Sequence, residues 1–185
     1  MPSLIRIPFD ESLLPKVSVF DCGTEPWQHE VSEWIKRQRG AGRALDEIEC
    51  GLQVWLYATD AGELVGFGSL GPALQRWPAA KDPEIAVSII PFMGIDRRFW
   101  GQPPGVPWQE RYSGQILGDV VAEAAKSRDA RPILKLLVYE GNAAAIKLYE
   151  RVGFTEYHKP RKDKESGLLY KRMALDLRVP NIPDR

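Results

Sequence analysis

LKLLVYEGNAAAIKLYERVGF, residues Leu134 to Phe154, joins a buried strand to a short amphipathic helix. Ile133 to Tyr139 is an apolar run of strand length. Asn142 then stands directly ahead of a helix over Ala143 to Val152, where its side chain can cap free N–H groups. Ala145, Leu148, Tyr149 and Val152 recur at helical spacing and share one face. Gly153 stops the helix and Phe154 opens the next strand. Taken singly, Asn142 reads as a helix cap and Tyr149 as a core aromatic.

Upstream, Glu84 to Ile95 has strand character, interrupted by Pro91. A proline removes a ladder donor, so a bulge or an opening of the sheet is expected there. That strand ends in MGIDRRFWG, Met93 to Gly101. Gly101 to Pro107 is loop, and from about Glu110 the period becomes helical, with Leu117, Val120, Val121, Ala124 and Ala125 on one face. A strand that runs through a glycine turn into a helix N-terminus is an anion site, because free N–H groups and the helix dipole point the same way. Arg97 and Arg98 add positive charge, and a pyrophosphate is a suitable guest. The alternative is an ordinary strand-to-helix connection.

The rest of the chain supplies the layers. Ser3 to Ile7 and Lys16 to Phe20 read as short strands. Thr24 caps a helix with Pro26 in its first turn, Trp27, Val31, Trp34 and Ile35 on its apolar face, and Gly40 at its end. Ala44 to Cys50 is a short helical piece. Gln53 to Thr59 and Leu64 to Leu70 are strands joined by the turn Asp60 to Glu63. Thr155 to His158 and Leu168 to Leu177 pair across the polar loop Arg161 to Ser166, and the tail RVPNIPDR is irregular. The order predicts a mixed α/β (α+β) sheet, mostly antiparallel, flanked by helices, in one domain over residues 1–185.

Asn142, Ala145, Leu148, Tyr149, Gly153 and Phe154 together resemble the pattern N-x-x-A-x-x-L/F-Y-x-x-x-G-F of the GNAT superfamily of acetyl-CoA-dependent N-acetyltransferases. Gly94 to Gly101 resembles that family's cofactor strand and the start of its pyrophosphate loop, Q/R-x-x-G-x-G/A-x-G. Arg98, Trp100 and Gly101 begin the loop, and Ser113, Gly114 and Leu117 resume it after roughly ten extra residues, with Tyr112 where the family has glycine or alanine. The resemblance spans Gln53 to Leu177. It implies that the backbone of Met93, Gly94 and Ile95 pairs with the pantetheine arm of acetyl-CoA. It further implies that Arg97, Arg98 and the amides near Gly101, Ser113, Gly114 and Gln115 face the pyrophosphate. Asn142 would bond near the thioester, and Tyr149 would sit by the sulfur as general acid.

The acceptor implied is a primary amine. An unperturbed lysine amine has a pKa of about 10.4, so only about one in a thousand is neutral near pH 7.4, and a base or a depressed substrate pKa must correct this. Glu84 is the first candidate base, and Asp82 and Glu63 follow it. Ser88 is a possible water-orienting group, and His29 and His158 read as surface residues. A backbone N–H near Gly94 or Ile95 would serve the oxyanion. The acceptor side is expected along the first helix, residues 71–83 and residues 159–166, with Trp77 and Trp108 as covering or anchoring rings.

Lysine plus arginine equals aspartate plus glutamate at 25 each, which leaves no global basic field for nucleic acid. No metal-type spacing joins Cys22 and Cys50, and free thiols in a reducing compartment are expected. The N-terminal residues lack a signal-peptide pattern and no stretch reaches membrane length, so a cytoplasmic setting without membrane contact is expected. A homodimer is compatible with these features. Phe20-Asp21-Cys22-Gly23 before an aromatic-bearing helix also resembles the entry of acetyltransferase toxins that act on aminoacyl-tRNA. A rival of another class is a GNAT-fold module that binds CoA, or nothing, and acts through protein contacts.

Overall fold

The computed structural model describes residues 3–36, 43–77, 79, 81–164 and 166–179. Eight strands and five α-helices are found among them: β1 (Ile5–Pro8), α1 (Leu14–Val17), α2 (Pro26–Lys36), α3 (Ala44–Glu49), β2 (Gln53–Ala58), β3 (Leu64–Arg76), β4 (Glu84–Ile90), β5 (Met93–Ile95), α4 (Tyr112–Ala125), β6 (Ile133–Tyr139), α5 (Ala143–Val152), β7 (Thr155–Lys162) and β8 (Leu169–Asp176). The strand order is β1-β2-β3-β4-β6-β8-β7, with β5 also on β3, and only the β4–β6 pair is parallel. The chain forms two compact units, residues 1–70 with 92–120, and residues 71–91 with 121–185. No helix among the described residues is long and apolar enough to cross a membrane, and both cysteines are free.

In the first unit, β1, β2, the first half of β3 and β5 pair antiparallel. Trp34 of α2 stacks on Phe67 at 5.5 Å and on Phe92 at 4.7 Å, and Phe20 meets Phe67 edge-on. Lys16 to Phe20 is not the strand its apolar residues suggested. Asp10 caps the turn Glu11–Leu13 through the Ser12 N–H, and that turn runs directly into α1. Val17 and Phe20, both buried, fall three apart as a helical turn requires, whereas a strand would alternate them. The helix expected from Thr24 starts at Pro26, so the cap position falls on Glu25. The Glu25 N–H donates back to Oε1 of Gln28, one half of a capping box. Gly40 lies outside the described residues.

The second unit contains the last part of β3 with β4, β6, β8 and β7. β3 continues six residues past Leu70, with burial alternating along Pro72 to Arg76 as an edge pleat does, so the segment expected as loop from 71 begins as strand. β7 likewise runs on to Lys162 through two register irregularities, the second of which spans Pro160. β6 and α5 have the bounds the sequence predicts. Of the tail, Pro180 to Arg185 lie outside the described residues.

β3 changes partner along its length. Gly68 pairs Met93 of β5, whereas Gly71 pairs Ile89 of β4, so the partner chain carries one extra residue at Pro91. Fully buried Ser69 stabilises this break. Its hydroxyl accepts from the Phe92 N–H at 3.0 Å and donates to the Phe92 carbonyl at 2.6 Å.

Candidate functional site

In the first unit, the expected cofactor strand is β5. Phe67 stands opposite Gly94. The N–H of Ile95 is directed at the sulfur of Cys22, and the Arg97 N–H donates to the Asp21 carbonyl at 2.7 Å. The Asp21–Cys22 segment thus engages backbone groups at the Ile95 end of β5 and beyond it. Burial pushes the Cys22 thiol up to about 12, so it stays protonated and inert.

Asp96 is 1% exposed and organises the turn that follows. Its carboxylate accepts from the Arg98 N–H at 3.0 Å, from Arg98 Nε at 2.8 Å and from Arg98 Nη2 at 3.1 Å. Burial alone would raise its pKa, but the Arg98 hydrogen bonds outweigh that and hold it below the usual carboxylate value. Arg97 Nε lies 3.0 Å from Asp21. Both arginines expected at a pyrophosphate are therefore engaged by carboxylates. Sequence reading missed Asp96, although an aspartate two residues before an arginine at a strand end is a capping signal.

The extra residues leave and rejoin the chain at one point. Gly101 turns with φ +69°, and the Tyr112 N–H donates to the Gln102 carbonyl at 2.9 Å. Residues 103–111 thus form a side excursion. Without them the chain reads Arg98-Phe99-Trp100-Gly101-Gln102-Tyr112-Ser113-Gly114, the loop pattern with tyrosine at the glycine/alanine position. That tyrosine is packed inward, edge-on to Phe99 at 5.8 Å. Gly114 is needed because an added Cβ would lie 2.1 Å from the Trp108 carbonyl oxygen. The Gln115 side chain donates to the Glu110 carbonyl at 2.7 Å, tying the excursion to α4. The Ser113 and Gly114 amides precede the first internal bond of the helix, Gln115 N–H to Arg111 carbonyl, and belong to the donors a helix start leaves free. Arg111 precedes the first residue of α4, Tyr112, and its Nε is buried without a hydrogen-bond partner among the described residues. A cationic donor left unmatched beside a helix start suits a phosphate, and no sequence signal singled it out.

In the second unit, β4 and β6 pair from Ser88–Leu134 to Ile90–Leu136, and among the described residues Leu137 to Tyr139 pair only with β8. Asn142 caps α5, accepting from the Ala145 N–H at 3.2 Å, and Gly153 closes it with φ +103°. Tyr149 is 7% exposed, its ring 5.7 Å from Phe154, and its hydroxyl has no hydrogen-bond partner among the described residues. Burial pushes the phenol up to about 12.

Glu84 lies at the start of β4, exposed, with Arg76 of the neighbouring strand 4.0 Å away. It stands about 23 Å along the chain from the Pro91 break at roughly 3.3 Å per residue. Asp82 accepts from the Ala79 N–H at 2.7 Å as a turn residue, and Glu63 sits at a hairpin tip. Ser88 accepts from Arg131 Nε at 3.2 Å. His29 is exposed, and His158 packs on Tyr157 at 5.1 Å. Trp77 meets Tyr157 in a tilted ring contact at 5.0 Å, while Trp108 lies in the excursion against Gly114.

The architecture has solved counterparts. A bacterial toxin superposes with a TM-score of 0.64 at 17% identity, over 96% of this chain and 93% of that one. An N-acetyltransferase from Staphylococcus aureus Mu50 gives 0.60 at 15% identity, over 95% and 99%. The protein yncA from Salmonella typhimurium, solved with its cofactor acetyl-CoA, gives 0.58 at 18% identity over 98% of both chains. The fold is that of the GNAT N-acetyltransferases. No family model matches the chain, and no curated protein matches it in sequence. At these identities the GNAT likeness rests on the fold.

Proposed function

We propose that this protein is an N-acetyltransferase that moves an acetyl group from acetyl-CoA to a primary amine by direct attack. The observation that carries the reading is α5, with its Asn142 cap, buried Tyr149 and Gly153 stop, in a chain with the GNAT fold. In this reading Met93 and Gly94 offer backbone groups to the pantetheine. The Gly101 turn, the Ser113 and Gly114 amides and Arg111 take the pyrophosphate. Asn142 uses its side-chain oxygen as the cap, which leaves its NH2 group for the cofactor. With its pKa near 12, Tyr149 keeps its proton at neutral pH and donates a hydrogen bond to the departing sulfur.

Glu84, solvated and beside Arg76, has no part in this scheme. The neutral amine must then come from the acceptor. An α-amino group with a pKa of about 7.8 is roughly a quarter neutral at pH 7.4, against about one part in a thousand for a lysine side chain. α-Amines are therefore the favoured acceptors. The toxin-type reading, acetylation of the α-amine of an aminoacyl-tRNA, gains from this argument and from the likeness to a bacterial toxin.

The deciding experiment is calorimetry with acetyl-CoA, followed by thiol release across α-amines, lysine side chains and aminoacyl-tRNA. Saturable binding with turnover on α-amines is expected. Absence of binding at millimolar acetyl-CoA refutes the enzyme reading, and binding without turnover on any acceptor favours a CoA-binding regulatory module.

A further inference from the structure

Lys135 sits mid-strand in β6, yet it is only 4% exposed. Its Nζ lies 5.1 Å from the ring centroid of Trp77 and 4.5 Å from that of Tyr157, in the corner where the two rings meet at 57°. Among the described residues it forms no ion pair or hydrogen bond. The charge that acts on it is Arg172, of the same sign, and burial together with that neighbour lowers its pKa. Arg172 likewise has no carboxylate partner among the described residues. It stands opposite Leu137, which is two residues beyond Lys135 and so on the same face of β6. Leu137 is 49% exposed, so this face is open to solvent beside the lysine.

Burying an ammonium costs several kcal/mol even after relaxation. Two cation–π contacts return about 1–4 kcal/mol together, and the Arg172 repulsion works against them. A methionine would fill the same volume without the desolvation cost. The arrangement is a positive centre with polarizable walls and no counter-ion among the described residues.

We propose that Lys135 and Arg172 form a binding site for an oxyanion, a carboxylate or phosphate group of a ligand, with Trp77 and Tyr157 as its walls. The site is independent of the acetyltransferase reading, since it requires only binding.

The test follows the lysine itself. Full-length protein carrying 13Cε-labelled lysine is titrated with inorganic phosphate and, separately, with succinate, each against chloride at matched ionic strength. The Lys135 signal is assigned by its loss in Lys135→Met. It is expected to shift saturably with one of the two anions and to titrate at higher pH in its presence. Arg172→Gln should weaken that response about three- to ten-fold, as loss of a charge-assisted contact does. A stronger response to phosphate assigns a phosphate ester, and a stronger response to succinate a carboxylate. A signal that moves no more than in chloride overturns the proposal, as does an unchanged affinity in Arg172→Gln.

Discussion

Replacing Tyr149 by phenylalanine removes one oxygen and leaves the ring where it packs against Phe154. Burial raises the phenol from an ordinary 10.0 to about 12, which disfavours its anion in the fold by about 3 kcal/mol. The hydroxyl is therefore a donor at any physiological pH. It has no partner in the fold among the described residues, so its loss should raise stability at pH 7 by zero to about 1 kcal/mol, or up to about 2–4 °C in Tm. Turnover should fall about 100- to 10,000-fold, the range of a lost general acid, with acetyl-CoA affinity nearly unchanged. Above pH 10 the two proteins should also diverge in stability. The folded wild type holds a proton that the unfolded chain releases, so its stability declines as pH rises from 10 toward 12, by about 3 kcal/mol in all. The variant escapes that decline. Thiol release, calorimetry and thermal unfolding at pH 7 and across pH 9–12 check these points. Turnover within a factor of about three of wild type, in a protein that still binds acetyl-CoA, would refute the role given to Tyr149.

Arg111→Gln should weaken acetyl-CoA binding about ten-fold with little change in Tm, whereas Arg98→Gln should lower stability by about 1–2 kcal/mol because it strips the buried Asp96 of its cation; calorimetry and unfolding of the pair separate the two roles. Excising residues 103–111 and joining Gln102 to Tyr112 should preserve the fold, since closing a nine-residue loop costs about 2 kcal/mol, an amount comparable to the lost Gln115 contact and Trp108 packing; circular dichroism and unfolding would show it. Glu84→Gln should leave turnover within about two-fold at every pH, read from a pH–rate profile. Gly94→Ala should destabilise by about 1–3 kcal/mol, because its Cβ would press on Cys22, Phe67 and Val31, each at 2.8 Å.

The strand and helix at Ile133 to Val152 were readable because every local signal agreed: an apolar run, a capping asparagine, one apolar face and a stop glycine. Lys16 to Phe20 misled because an apolar run of five residues fits a strand or a turn of helix equally, and the arbiter was Asp10, several positions upstream. The length of β3 beyond Leu70 was hidden for another reason. Its outer residues pair with β4, and a pairing between strands leaves no mark within either one. Arg97 and Arg98 show the same limit for the site. Their charge is visible in the sequence, but the carboxylates that engage them are identified only by geometry. Arg111 and Lys135 were passed over because a side chain's want of a partner is a property of its surroundings.

Ser69 carries a lesson for protein construction. One hydroxyl, acting as both donor and acceptor toward Phe92, lets β3 exchange one neighbour for another without leaving the intervening amide bare. The pieces are a proline on one chain and a serine opposite the residue that follows it. Such a pair is small enough to transplant into a designed antiparallel sheet, where it would open a slot for an extended ligand at a chosen rung. Replacing the serine by alanine would supply the matching control, with a buried N–H and carbonyl left to find other partners.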